Sequence, residues 1–229
     1  MQLQFLGTGS AYNPNMKSTS AFLSMGSTML LFDCGETVFE SLHERALLDK
    51  FDAFIVFITH FHSDHIGSLG SFISYCFCKL KKEVFVFFPN ADICKLLQMT
   101  GVPHFMYTYL SEIPSRFSDR LVAIPVPVHH DPTIPCFGYQ VTVDHSTFFY
   151  GGDSAKIPEV ILDLLLHGKI DIIYQDTSYV NKGDSDCHGT LEGLCEQVPA
   201  RYREKVVCMH FDHDFTEQVR AHGFHPANR

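Results

Sequence analysis

Short apolar runs alternate with stretches of helical spacing along most of the chain. QLQFLG (2–7), TSAFLSMG (19–26) and TMLLFDCG (28–35) each end at a glycine and predict three strands in an antiparallel meander. ETVFESLHERALLDK (36–50) then puts Val38, Leu42 and Ala46 on one helical face. FDAFIVFITH (51–60) is a near-continuous apolar run, the pattern of a strand buried on both faces. HIGSLGSFISYCFCKLKK (65–82) predicts a helix whose basic KLKK end faces solvent.

The rhythm returns in the second part of the chain. EVFVFFP (83–89) predicts a strand, and NADICKLLQMTG (90–101) a helix with Asn90 as N-cap and Gly101 as its stop. RLVAIPVPVHHD (120–131) is extended, and CFGYQVTVD (136–144) with STFFYGGDS (146–154) predicts a hairpin. A helix over 156–168, a strand over 170–176, a helix over 190–202 and a last strand over 204–214 complete the pattern. The expectation is an α/β fold in which two sheets pack face to face with helices outside. No repeat, low-complexity block or linker interrupts the chain, so residues 1–229 read as one domain.

Composition narrows the picture little. The protein is 45% hydrophobic and 19% charged, with a formal charge of −9 that disfavours a long polyanion as ligand. The eight cysteines form no CxxC pair, so reduced thiols in the cytoplasm are expected. The first residues lack a basic leader pattern, and no segment approaches the ~20 apolar residues of a membrane span. Fourteen histidines is the unusual count.

Where those histidines fall is informative. His60 ends the buried strand, and the block from His60 to His65 holds three histidines and one aspartate in six positions. His129 and His130 end the run LVAIPVPV, Asp153 follows FFYGG, and His210 follows VVCM, with His213 as its competitor. Four strands thus deliver potential ligands just beyond their C-terminal ends. A catalytic zinc takes about three protein ligands and leaves a position for water. His60 and His62 with one of His129 and His130 make one such set, and Asp64, His65 and His210 a second, bridged by Asp153. Imidazole and carboxylate together favour Zn2+, with Mn2+ or Fe also compatible.

These motifs resemble the metallo-β-lactamase superfamily over almost the whole chain. THFHSDH (59–65) is similar to its THxHxDH signature, YGGDS (150–154) to its bridging-aspartate motif and VVCMHFDHD (206–214) to its last-histidine motif. HHDPTIPCFGY (129–139) resembles the middle motif in which the histidine directly before the aspartate is the ligand, which selects His130. FDCG (32–35) resembles the supporting aspartate motif, making Asp33 a structural group. The resemblance implies the αββα sandwich of two mixed sheets and a dinuclear site of His60, His62, Asp64, His65, His130, Asp153 and His210.

Details narrow it further. His62 stands where the flavodiiron branch carries glutamate, and the β-lactamases proper place no histidine at His65. LGTGSAYNPNMKSTSAFL (6–23) and CHGTLEG (187–193) resemble the ribonuclease Z branch of phosphodiesterases. There the histidine matching His188 assists departure of the leaving oxygen, and homodimers are common. The tRNA-gripping arm that bacterial ribonuclease Z proteins insert between the middle histidine and the bridging aspartate is missing: His130 and Asp153 are 23 residues apart. The compact build resembles small-molecule phosphodiesterases, among them anti-Pycsar nucleases that open cyclic mononucleotides.

The implied chemistry is attack of a metal-activated hydroxide on a small or cyclic phosphodiester, with Asp64 orienting the hydroxide and His188 donating a proton. Alternatives on the same fold are tRNA 3′-processing, which would make RNA the partner, and thioester or lactone hydrolysis. A metal-binding module without turnover is the reading from another class. Tyr12, Lys17 and HFMYTYL (104–110) are candidate pocket walls.

Overall fold

The computed structural model describes residues 2–179 and 187–228. Its first six strands are β1 (Gln4–Gly7), β2 (Ser20–Met25), β3 (Thr28–Phe32), β4 (Ala53–Phe57), β5 (Glu83–Phe87) and β6 (Thr108–Leu110). They form one sheet in sequence order. The next six are β7 (Leu121–Pro127), β8 (Phe137–Val143), β9 (Ser146–Tyr150), β10 (Ile172–Asp176), β11 (Val206–Met209) and β12 (His225–Pro226), again one sheet in sequence order. In each sheet the first three strands pair antiparallel and the last three join in parallel. The two halves therefore repeat one plan of hydrogen bonding without a repeat in sequence.

The near-continuous apolar runs follow from burial on both faces. Along β4, Phe54 and Val56 pack toward helices, whereas Ile55 and Phe57 face the other sheet. Between the sheets lies an aromatic-rich layer that includes Phe32, Phe57, Phe87, Tyr139, Tyr150 and Tyr174. Helices α1 (Val38–Glu44), α2 (Ser63–Ile66), α3 (Leu69–Tyr75) and α4 (Asp92–Met99) follow strands of the first sheet. Side chains of α1, α3 and α4 cover its outer face. After the short α5 (Ser115–Ser118), α6 (Glu159–Leu166), α7 (Leu191–Gln197) and α8 (Thr216–Ala221) cover the second sheet. This is the αββα sandwich of the metallo-β-lactamase fold.

Helix ends differ from the sequence expectation for local reasons. The 36–50 helix stops at Glu44, because Ala46 adopts a left-handed φ of 49°. The 65–82 helix is three pieces: α2, α3 and a π-helical turn at Cys76–Leu80, ended by left-handed Lys81. Asn90 sits one residue before the N-cap of α4, where its Oδ1 accepts the Asp92 N–H at 2.9 Å. β6, α8 and β12 carry too few periodic residues to stand out in sequence. No helix among the described residues is long and apolar enough to cross a membrane.

Candidate metal centre

The parallel strands aim their C-terminal ends at one edge of the sandwich, where loops are free to present polar groups. β4 runs into His60 and His62, and the turn of α2 carries Asp64 and His65. β7, β9 and β11 lead to His130, Asp153 and His210. Two clusters carry the expected residues, overlapped by a third group of Asp153, Asp176, His188 and His210. In one, His60 Nε2 lies 3.0 Å and His130 Nε2 3.2 Å from His62 Nδ1, and Asp153 Oδ2 stands 3.9 Å from His60 and 3.7 Å from His130. In the other, Asp64 Oδ2 lies 3.3 Å from His65 Nε2 and 3.4 Å from His210 Nε2, with Asp153 Oδ1 at 3.0 and 3.3 Å from those nitrogens. Asp153 thus turns one oxygen to each cluster.

The ring nitrogens that face away from the centre are also held. His65 Nδ1–H donates to Asp33 Oδ2 at 2.9 Å, and His130 Nδ1–H to the Cys187 carbonyl at 3.0 Å. His60 Nδ1 meets Thr59 Oγ1 at 3.0 Å, and His210 Nδ1 lies 3.3 Å from Asp176 Oδ1. Such outer contacts fix tautomer and ring angle before any ligand binds. Asp33 and His210 take left-handed φ values of 60° and 63°, a strain that places both side chains at strand ends. Gly35 has its own reason: a Cβ there would sit 1.7 Å from the Asp64 carbonyl oxygen, so only glycine lets the metal-loop backbone seat against FDCG.

Electrostatics follow from this packing of charge in a buried place. Burial and the neighbouring rings push His60 well below its ordinary value. Burial also opposes protonation of His210, but Asp153 and Asp176 outweigh it and lift the ring to about 10. His65 is raised in the same way by Asp153, Asp33 and Asp64. Burial opposes ionisation of Asp153 and Asp64, yet facing histidines hold both well below the usual carboxylate range. His65 Nε2 and Asp153 Oδ1 are fully buried without a hydrogen-bond partner among the described residues. In the neutral ring, with Nδ1–H committed to Asp33, Nε2 offers its lone pair beside a carboxylate oxygen, and a cation there would take the place of the second proton. Two such acceptors at 3.0 Å fit a shared divalent cation.

The anti-Pycsar protein Apyc1 family matches residues 1–227. The chain belongs to that family. Anti-Pycsar protein Apyc1 of Paenibacillus harenae is 25% identical over 92% of this chain and 90% of its own length. A ribonuclease Z of Shouchella clausii is 42% identical over a shorter stretch, 32% of this chain and 25% of its own. The metallo-β-lactamase fold protein YhfI of Bacillus subtilis superposes with a TM-score of 0.72 at 17% identity, covering 96% and 90% of the two chains. This Apyc1-family chain lies on the ribonuclease Z-like branch of the metallo-β-lactamase superfamily and is a metal-dependent hydrolase.

All seven residues expected as ligands stand in the two clusters, with His130 buried in the first and His129 exposed. His213 lies outside them against Asp212 and Tyr179. His188 stacks on His210 with ring centroids 5.2 Å apart, and its Nδ1 lies 2.7 Å from Asp176 Oδ2. Asp176 itself was missed, although it ends β10 by the same strand-end rule that singled out the other ligands. The clusters floor a cleft of about 770 Å3, with Ser10, Ala11 and Tyr12 on one lip and Ser178 and Asp212 on another. Tyr12 is therefore a wall, but Lys17 and 104–110 are not. Lys17 reaches Glu44 and Ser41 instead, and residues 105–108 line a separate hollow with Phe77. Glu36, Asp64, Asp153, Asp176 and Asp212 face the cleft, and no lysine or arginine among the described residues lines it.

Proposed function

We propose that this Apyc1-family hydrolase is a dinuclear phosphodiesterase that opens a cyclic or other small nucleotide phosphodiester, with 1–229 acting as one cytoplasmic domain. The observation that carries the reading is Asp153, whose two oxygens each complete a set of three further donors: His60, His62 and His130, and Asp64, His65 and His210. Seven donors in two sets of four around a shared carboxylate suit two Zn2+, or Mn2+ or Fe, better than one ion. Bound there, divalent ions supply Lewis acidity and a water whose pKa falls from 15.7 toward about 7.

The remaining roles belong to the chain. Five carboxylates face the cleft, two of them in the clusters at its floor, so ions held at that floor would neutralise the charge of an anionic diester. Asp64 orients the attacking water as well as contributing a donor. Burial opposes a charge on His188, but Asp176 and Asp153 outweigh it and raise its pKa, which keeps a proton available for the leaving oxygen. That proton donor favours a diester over a thioester, whose thiolate leaves unaided. The β8–β9 hairpin, joined by two residues, fills the space between His130 and Asp153, so no arm for tRNA extends there. The homodimer expected from the resemblance belongs to the same reading.

The test is hydrolysis of bis(p-nitrophenyl) phosphate and of 3′,5′-cyclic mononucleotides by metal-stripped protein, with zinc or manganese restored, beside Asp64→Ala. Metal-dependent turnover is expected, falling by about 10²–10³-fold or more in the variant. Two bound equivalents with no diester turnover under any metal would sink the proposal, and thioester or lactone turnover in its place would move the reading to carbonyl substrates.

A further inference from the structure

His62 differs from the other histidines of the site. His60 and His130 present Nε2 to their cluster, whereas His62 presents Nδ1. Its side chain is 40% exposed, so packing does not lock the ring as it does for its buried neighbours. The one hydrogen bond to its outer nitrogen among the described residues comes from another part of the chain: Nε2–H donates to Asp131 Oδ2 at 3.2 Å. Asp131 is itself held, because the Thr133 N–H and Oγ1–H donate to its Oδ1 at 2.7 and 2.6 Å. A line of contacts therefore runs from Thr133 through Asp131 to His62 and ends at the three-histidine cluster.

The second cluster has no need of it. His65 is backed by Asp33 and His210 faces Asp176, both fully buried. Within the first cluster His60 is backed by Thr59 and His130 by the Cys187 carbonyl, so the partly exposed Asp131 is the carboxylate support of that cluster and stands behind His62 alone.

We propose that Asp131 is a positioning residue that fixes the His62 ring and so sets the metal affinity of the His60–His62–His130 cluster without touching that of the other. The inference rests on the dinuclear reading. A carboxylate accepting from Nε2–H selects the tautomer with a lone pair on Nδ1 and strengthens that nitrogen as a donor. Loss of such a partner typically costs 10–100-fold in metal affinity.

The experiment titrates zinc into metal-stripped wild type, Asp131→Ala and Asp131→Asn against a chromophoric chelator. Metal per chain is counted by mass spectrometry, and near-ultraviolet circular dichroism checks the fold. Wild type is expected to bind two equivalents. In Asp131→Ala one equivalent keeps its affinity and the other weakens 10–100-fold. Asp131→Asn, whose amide oxygen still accepts from Nε2–H without the charge, falls between the two. Unchanged affinity for both equivalents in Asp131→Ala, or equal weakening of both, overturns the inference while leaving the dinuclear reading intact. Fewer than two equivalents in wild type overturns that reading and this inference with it.

Discussion

A histidine whose proton is held by a buried carboxylate is an acid of adjustable strength, and His188 is placed to be one. Its side chain is partly open to the cleft, whereas Asp176 behind it is sealed. A proton donor matters in proportion to how poor the leaving group is. His188→Ala should therefore lower kcat about 10²–10⁴-fold on a cyclic nucleotide, whose leaving group is an alkoxide. On bis(p-nitrophenyl) phosphate, which releases a stable phenolate, kcat should fall far less, with bound metal unchanged. Parallel kinetics on the two substrates check this, and equal losses would take the proton-donor role from His188. Much of the site was legible at this scale because metal ligands crowd: HFHSDH shows its density in six residues. Asp131 and Asp176 were not read as supports, since each acts on a partner that only the fold brings near. Asp131 lies 69 residues from His62, and Asp176 lies 34 from His210.

At the scale of elements, the β8–β9 hairpin turns through Asp144 and His145, at φ 45° and 78°. Two left-handed residues in a two-residue loop make a type I′ turn, which favours Asp-Gly or Asn-Gly. Asp144 suits the first position and also takes the fork of Arg120, at 2.7 and 2.6 Å. His145 is exposed and has the wrong side chain for its backbone. His145→Gly is expected to stabilise the fold by about 0.5–1 kcal/mol in urea unfolding, with activity unchanged. A loss of stability would mean that the histidine ring contributes packing that outweighs its backbone cost. Strands were easier to anticipate than helix ends, because two-sided burial writes Val, Ile and Phe continuously into β4 and β5. The stops at Ala46 and Lys81 are tertiary and leave no mark in either residue type.

For the whole molecule, the donors come from both halves: His60, His62, Asp64 and His65 from the first sheet, and His130, Asp153 and His210 from the second. On the dinuclear reading, ions held between them would bind the folded chain and not the unfolded one, which links metal to stability. At 1,000 times Kd each such ion adds about 4 kcal/mol, or roughly 10 °C in Tm for a protein of this size. Scanning calorimetry of stripped and zinc-loaded protein measures it, and an unchanged Tm would mean that the donors do not share an ion across the sheets. The repeated plan of the two sheets escaped the sequence because it lies in hydrogen-bond direction, which side chains of different shape satisfy equally well. The carboxylate walls of the cleft bear on how the reaction ends. A diester carries one negative charge, and the monoester it becomes carries about 1.5–2 at neutral pH. Glu36, at the open side of the cleft, and Asp212 therefore repel what leaves more strongly than what enters. On the diester reading, this acidity would oppose the tighter hold of floor ions on the more highly charged product and so limit product inhibition.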